Sequence, residues 1–210
     1  MADANQVTCR VRILQRLNDD GSRVKDPDAS PGHYDLMIYK GGPIGKNANG
    51  TLRQYHSPVI ISYGQGGTNE LAFFNKERQH KVYAGKWLDF YYWTFKAEES
   101  KVNEMVQWLF TFGLSNPTFD DYNNDRLARY KVTKGQFKKY SRKKANCLMA
   151  VGAMCEYLGN TTISKLITAR GGKIGDNHKY WKYYPYNLLP ELYDNQATRI
   201  WHYAGRKDYR

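Results

Sequence analysis

The chain has 210 residues, a formal net charge of +12, and 41% hydrophobic and 15% aromatic residues. This composition suits one domain covering residues 1–210, and the absence of any run of about 18 apolar residues argues against a membrane span. Three cysteines without a CxxC pair exclude a zinc finger and a disulfide framework, and they predict free thiols in a reducing cytosol.

The first half of the chain is expected to consist mainly of β-strands. Alternating or β-prone segments predict strands over residues 8–17, 33–40, 52–63, 70–75 and 87–96. Residues 41–50 contain four glycines and a proline, so we expect a long hairpin connection there. Pro58 predicts a bulge, bend or edge within the strand that follows this connection.

The hydrophobic pattern changes to a helical period after residue 98. Apolar side chains at helical spacing predict a helix over residues 98–112, and Gly113 is placed to end it. Residues 116–144 are polar, rich in tyrosine and basic toward their end, and we expect an irregular connecting segment there. Strands followed by helices predict an α+β fold rather than alternating β and α units.

A second helix is predicted to begin at Cys147 and to end near Leu158. Asn146 is a suitable N-cap for this helix and Gly159 a suitable C-cap. A short helix is expected over residues 162–170. The remainder of residues 160–210 is an aromatic C-terminal extension with prolines, and its pattern predicts no defined element.

Cys147 is the candidate nucleophile, because it lies in the first turn of an apolar helix that follows a cationic segment. The positive end of a helix dipole favours a thiolate, so we expect a lowered pKa for this thiol. A thiolate nucleophile requires a base, and His33, at the start of an early strand, is the candidate. Cys9 and Cys155 lie in apolar segments and are expected to be buried and unreactive.

Several short motifs, in this order, resemble the circularly permuted NlpC/P60 superfamily, which includes lecithin:retinol acyltransferase-like proteins. They are the segment HYDLMIY followed by Gly-Gly, a second histidine, a helix, and Asn-Cys opening an apolar helix that ends in Leu-Gly. The resemblance extends from His33 to Leu158. It implies a papain-like fold, with an antiparallel sheet packed against helices and the nucleophile at a helix N-terminus.

The resemblance also implies roles for individual residues. Cys147 matches the nucleophile, His33 the general base, and His56 the polar residue that orients the imidazole. The backbone N–H of Cys147 would help to hold the oxyanion. His56 lies farther from His33 than is usual in the acyltransferase-like branch, so Gln54 is the substitute if His56 points away. No cofactor and no metal are implied.

The other histidines have weaker patterns. His178 follows Cys147 in the order of unpermuted papain relatives and is the alternative base. His80 and His202 have charged neighbours and are expected at the surface.

The function implied by the resemblance is a hydrolase that forms a thioester. A cationic, aromatic chain without a signal peptide or anchor resembles bacterial effectors delivered by contact-dependent machines such as type VI secretion. We therefore expect an antibacterial cysteine hydrolase that cleaves an amide bond in peptidoglycan stem peptides or a related anionic envelope substrate. It would be made in the cytoplasm, secreted by a specialised system, act in the target-cell periplasm, and be countered by an immunity protein.

Two alternatives stay open. A lipid-directed thiol hydrolase or acyltransferase of the same fold would use basic residues to meet phospholipid head groups. A nucleic-acid-binding protein would use the basic and aromatic residues 134–144 to follow a phosphate backbone. A solvated basic loop is the favoured interpretation of that stretch, so nucleic acid is not the expected partner.

Overall fold

The computed structural model describes residues 5–22, 24, 32–39, 42–46, 49–55, 58–64, 68–74, 86–115, 118–122, 125–135, 137–139, 146–169, 195–203 and 206–209. The strands in these residues are β1 (Gln6–Leu17), β2 (Gly32–Ile38), β3 (Gly42–Lys46), β4 (Leu52–Tyr55), β5 (Val59–Tyr63), β6 (Glu70–Phe74), β7 (Lys86–Glu98), β8 (Thr118–Tyr122), β9 (Asp125–Lys131), β10 (Asn195–Tyr203) and β11 (Arg206–Tyr209). The helices are α1 (Glu99–Phe110), α2 (Cys147–Tyr157) and α3 (Thr162–Ala169).

An antiparallel sheet organises the fold. Nine strands follow the order β11-β10-β7-β1-β2-β5-β6-β9-β8, and β3 pairs with β4 in a separate two-stranded sheet. Strand β1 is held on both sides, because its central residues pair with β2 and with the long strand β7. The expected α+β class is therefore confirmed at the level of an antiparallel sheet with a few helices.

The helices pack on one face of this sheet and enclose the main core. Alternate residues of β1 and β2 face the helices, and they include Val11, Ile13, Tyr34 and Leu36. Helix α2 is buried along its length from Cys147 to Cys155, as expected for a helix that is apolar all round. Helix α1 is amphipathic and buries a single stripe of side chains, namely Val102, Met105, Val106 and Leu109.

The opposite face of the sheet is also buried near its centre. A small apolar cluster there contains Met37, Ile60 and Ala72. Polar side chains are buried on the same face, which makes the middle of the sheet a two-sided interior.

The ends of α2 agree with the sequence prediction. The side chain of Asn146 accepts a hydrogen bond of 3.1 Å from the N–H of Met149, which satisfies one of the free donors of the first turn. At the other end Gly159 has φ of +80°, and the N–H of Asn160 donates back to the carbonyl of Cys155 at 2.8 Å. This glycine-terminated end is the Schellman arrangement.

Several sequence expectations are corrected. Residues 42–46 are a strand rather than part of an open connection, and the expected strand over 52–63 is divided into β4 and β5, with Pro58 between them. Residues 116–144, which were expected to be irregular, contain β8 and β9, and these strands form one edge of the main sheet. The short helix expected over residues 162–170 is present as α3, whereas the C-terminal segment, for which no element was predicted, supplies the strands β10 and β11 at the other edge of the main sheet.

Among the described helices, none has the length and apolar character required to span a bilayer.

Candidate active site at the start of helix α2

Cys147 is the first residue of α2 and is buried against β2. Burial raises the pKa of the Cys147 thiol to about 11, although the backbone N–H groups of Tyr34 and Leu148 act in the opposite direction. These amides favour a thiolate, but removal of the sulfur from water disfavours the charged form more strongly. The thiol is consequently protonated at neutral pH.

This result corrects the expectation of a low thiol pKa. The helix end and its cap are as predicted, but the sequence pattern did not show that the sulfur faces the sheet. A helix dipole lowers the pKa of a thiol most where solvent or a cation also meets the sulfur. Cys147 instead belongs to the main apolar core.

His33 lies at the beginning of β2 and is also buried. Its Nε2 atom is 2.6 Å from the hydroxyl oxygen of Ser62 on the neighbouring strand β5. Burial lowers the pKa of His33 to about 4, with a further lowering by the Arg12 charge and an opposing effect of Asp35. The imidazole is therefore neutral at pH 7, and while it is buried it is a weaker base than an exposed histidine.

Arg12 and Asp35 form a buried ion pair beside His33. Arg12 donates from Nε to Oδ1 at 2.9 Å and from Nη2 to Oδ2 at 2.7 Å, and both side chains are fully buried. The two residues are direct partners in the β1–β2 register. Because Asp35 is two residues after His33, strand alternation places the ion pair and the imidazole on the same face.

The side chains of Cys147, the candidate nucleophile, and His33, the candidate base, lie on opposite faces of β2. Alternation along β2 puts Tyr34 on the helix face with Cys147, and puts His33 on the face of Ser62 and Asp35. The sulfur of Cys147 contacts the backbone N–H of Tyr34, which belongs to the peptide bond between His33 and Tyr34. The structure thus brings Cys147 next to the backbone of His33 while the imidazole is bonded on the other side of the sheet.

The remaining candidates were His56, Gln54, His80, His178 and His202. His56, His80 and His178 lie outside the described residues. Gln54 is a residue of β4, in the two-stranded sheet, where it pairs with Pro43. His202 lies on β10, opposite Lys86.

Ser62, Asp35 and Arg12 were not selected from the sequence. The available signal was a pair of opposite charges, each in the middle of a largely apolar strand. Such charges are rarely buried unless they are paired, so the pattern could have suggested that β1 and β2 are neighbours. Within the described part of the chain, no group of three or more His, Cys, Asp or Glu side chains is placed to hold a metal ion.

Comparison with protein-family models, with curated proteins and with solved structures finds no match to this chain.

Proposed function

We propose that this protein is a papain-like cysteine hydrolase in which Cys147 is the nucleophile and His33 the general base. The supporting observation is the placement of Cys147 at the capped start of a helix that packs on β2, the strand headed by His33. The N–H groups of Tyr34 and Leu148 near the sulfur could stabilise negative charge there.

The proposed reaction uses these groups in two steps. The sulfur of Cys147 attacks the amide carbon while its proton passes to the imidazole of His33, which then protonates the leaving amine. The resulting thioester is hydrolysed by water, with the imidazole taking the water proton and returning it to the sulfur. The backbone N–H of Cys147 would hold the oxyanion in both steps.

This mechanism requires a conformation that differs from the described one, in which the sulfur of Cys147 is buried and the imidazole of His33 is hydrogen-bonded to Ser62. The hydrogen bond between His33 and Ser62 must break, and Nε2 must come within about 3 Å of the reacting proton. The sulfur must also become accessible to substrate, since it is buried in the described structure. Because the imidazole lies on the face of β2 opposite the sulfur, the first residues of β2 would have to leave their pairing with β1 and turn His33 to the helix face.

The proposed substrate is an amide bond in a peptidoglycan stem peptide. The net charge of +12 would retain the protein on an anionic cell wall. We further propose that the protein is made in the cytoplasm, is delivered by a specialised secretion system to the periplasm of a target cell, and has an immunity protein as its partner.

The test is digestion of purified sacculi, with mass spectrometry of the released fragments. Wild type should release fragments with a new amino terminus, whereas Cys147→Ala and His33→Ala should release none. Cys155→Ala is the matched control, because this cysteine is buried in the same helix and should be dispensable.

Thermal unfolding of each variant separates loss of chemistry from loss of fold. Intact sacculi after incubation with folded wild-type protein would remove the cell-wall proposal. Full activity of Cys147→Ala would remove the cysteine mechanism altogether.

A further inference from the structure

An exposed group of polar and aromatic side chains lies on the sheet face opposite the helices, near one end of β1. At its centre is Arg10, flanked by Tyr39 and Tyr92. The guanidinium carbon is 4.5 Å from the ring centroid of Tyr39 and 4.7 Å from that of Tyr92. The two tyrosines come from the chain segments on either side of β1, so Arg10 is held between them.

This arrangement fixes the guanidinium and leaves its terminal amino groups available. The Nε of Arg10 donates to the hydroxyl of Thr94 at 3.4 Å. Within the described residues, the two terminal nitrogens of Arg10 make no hydrogen bond and Arg10 has no carboxylate partner. An arginine so held presents two parallel donors of the kind that bind the oxygens of an oxyanion.

Next to Arg10 on the same face of the sheet is a second cationic side chain, that of Lys96. Lys96 donates from Nζ to the hydroxyl of Thr8 at 2.5 Å. Arg10 pairs with Thr94 and Thr8 pairs with Lys96 in the β1–β7 register, so the two cations occupy successive rows on one face. Their β-carbons are therefore roughly 7 Å apart, close enough for both side chains to contact one ligand.

Lys96 and Lys101 are both exposed, but they differ in their ion pairs. Lys101 is neutralised by Glu104 at 2.7 Å on the exposed side of α1. Lys96 has no such ion pair among the described residues, although Glu98 lies two positions further along β7. Two neighbouring cations, each positioned by a threonine hydroxyl, form a site for an anion.

We propose that Arg10 and Lys96 bind a phosphate group. A carboxylate has two oxygens, which the guanidinium of Arg10 alone would satisfy. A tetrahedral phosphate keeps further oxygens for the ammonium of Lys96 and carries the additional charge that a second cation favours. This chemistry is shared by free phosphate and by phosphate monoesters, and the site is independent of the hydrolase proposal.

The test follows the Nε–H resonance of Arg10 by NMR while inorganic phosphate, glycerol phosphate or acetate is added. Saturable shifts with inorganic phosphate and glycerol phosphate, and weaker shifts with acetate, are expected. A preference for glycerol phosphate over inorganic phosphate would identify a monoester as the natural ligand, and the reverse preference would identify free phosphate.

Variants test the two cations separately by calorimetric titration with inorganic phosphate. Arg10→Gln and Lys96→Gln should each weaken binding by roughly tenfold, and Arg10→Lys should not restore it, because an ammonium lacks the paired donors. Lys101→Gln, which removes a paired surface lysine, should change binding by less than about twofold. Glu98→Gln should strengthen binding, because it removes a nearby negative charge.

Three outcomes would overturn the proposal. The first is the absence of any saturable response to either phosphate compound. The second is equal binding of acetate and phosphate. The third is tight binding of a single-stranded oligonucleotide with no response to either small phosphate, which would indicate an extended polymer surface instead of a single-group site. Unfolding curves of the variants show whether each remains folded.

Discussion

The imidazole of His33 and the hydroxyl of Ser62 share a hydrogen bond of 2.6 Å in the interior of the sheet, across two neighbouring strands. Both side chains are buried. The bond gives one ring nitrogen a partner and holds the imidazole on the face away from Cys147. It is therefore the contact that a catalytic rearrangement would have to break first.

We predict that His33 makes the folded protein sensitive to mild acid. Its pKa is about 4 in the folded state and about 6.5 when exposed. Between these values the unfolded chain binds a proton that the folded protein does not, so stability falls as pH decreases from about 6.5 toward 4. The expected slope from this group is up to about 1.4 kcal/mol per pH unit.

Urea unfolding at pH 7.5, 6 and 5 measures this effect. His33→Asn should be less stable than wild type at pH 7.5, and the difference should narrow as the pH falls. A difference that stays constant across this range would show that His33 does not titrate between the two pKa values.

The buried ion pair gives a second prediction. Asp35→Leu or Arg12→Met alone should lower the free energy of unfolding by about 3–5 kcal/mol, because each leaves the partner charge buried without its counterion. The double variant Arg12→Met/Asp35→Leu should recover much of that loss. Denaturant unfolding of the two single variants and the double variant gives the coupling energy.

Glu104→Ala is the matched control for this experiment. It breaks a surface pair in which Lys101 and Glu104 are 49% and 50% exposed, so it should cost no more than about 1 kcal/mol. Additive single-variant effects at Arg12 and Asp35 would contradict the described pairing.

The helix cap gives a third prediction. Asn146→Ala should destabilise the protein by about 1 kcal/mol, because the N–H of Met149 loses its acceptor. Asn146→Asp should retain the cap, since a carboxylate accepts the same hydrogen bond and interacts favourably with the helix dipole. Thermal unfolding of the two variants measures the difference, and equal destabilisation by both would argue against the capping role.

The thiols give a fourth prediction. Burial raises the pKa of Cys147 to about 11 and that of Cys9 to about 12, and it raises the pKa of Cys155 well above its usual value. The folded protein should therefore react slowly with iodoacetamide at pH 7.5, and it should take up three labels once unfolded.

Peptide mass spectrometry after timed labelling identifies the modified cysteine. Labelling of folded Cys147 should accelerate as the pH rises toward 11. In the same range stability should decrease, because above about pH 9 the unfolded thiol loses its proton first. Rapid labelling of Cys147 alone at neutral pH would instead show that an open form with an activated thiolate predominates.

The elements predicted from sequence are those with a strong local pattern. Helix α2 could be placed together with its caps because Asn146, an apolar run and Gly159 follow one another directly. Strand β1 and helix α1 were likewise found within two residues of their ends. Local patterns of this kind depend little on which other segments pack nearby.

The elements that were missed depend on distant partners. Strands β8 and β9 contain many polar residues, and their pairing with each other and with β6 provides their context. Strand β10 is stabilised in the sheet by β7, which precedes it by about a hundred residues. A single-sequence pattern does not contain such pairings.

The face on which His33 lies could not be predicted for a related reason. Strand β2 is buried on both faces, so the segment HYDLMIY lacks the alternation that would assign each side chain to one side. The assignment comes from the register with β1, in which Asp35 is opposite Arg12. A histidine and a cysteine in the right order along the chain were therefore insufficient to predict a contact between them.

The pairing of β1 with β7, which places Gln6 opposite Glu98, has a kinetic consequence. The centre of the sheet closes only after a loop of most of the first hundred residues has formed, and β10 joins later still. Folds with such high contact order acquire structure slowly, commonly in milliseconds to seconds. During synthesis β1 emerges well before β7, so one edge of β1 stays unpaired in the nascent chain, which favours assistance by a chaperone.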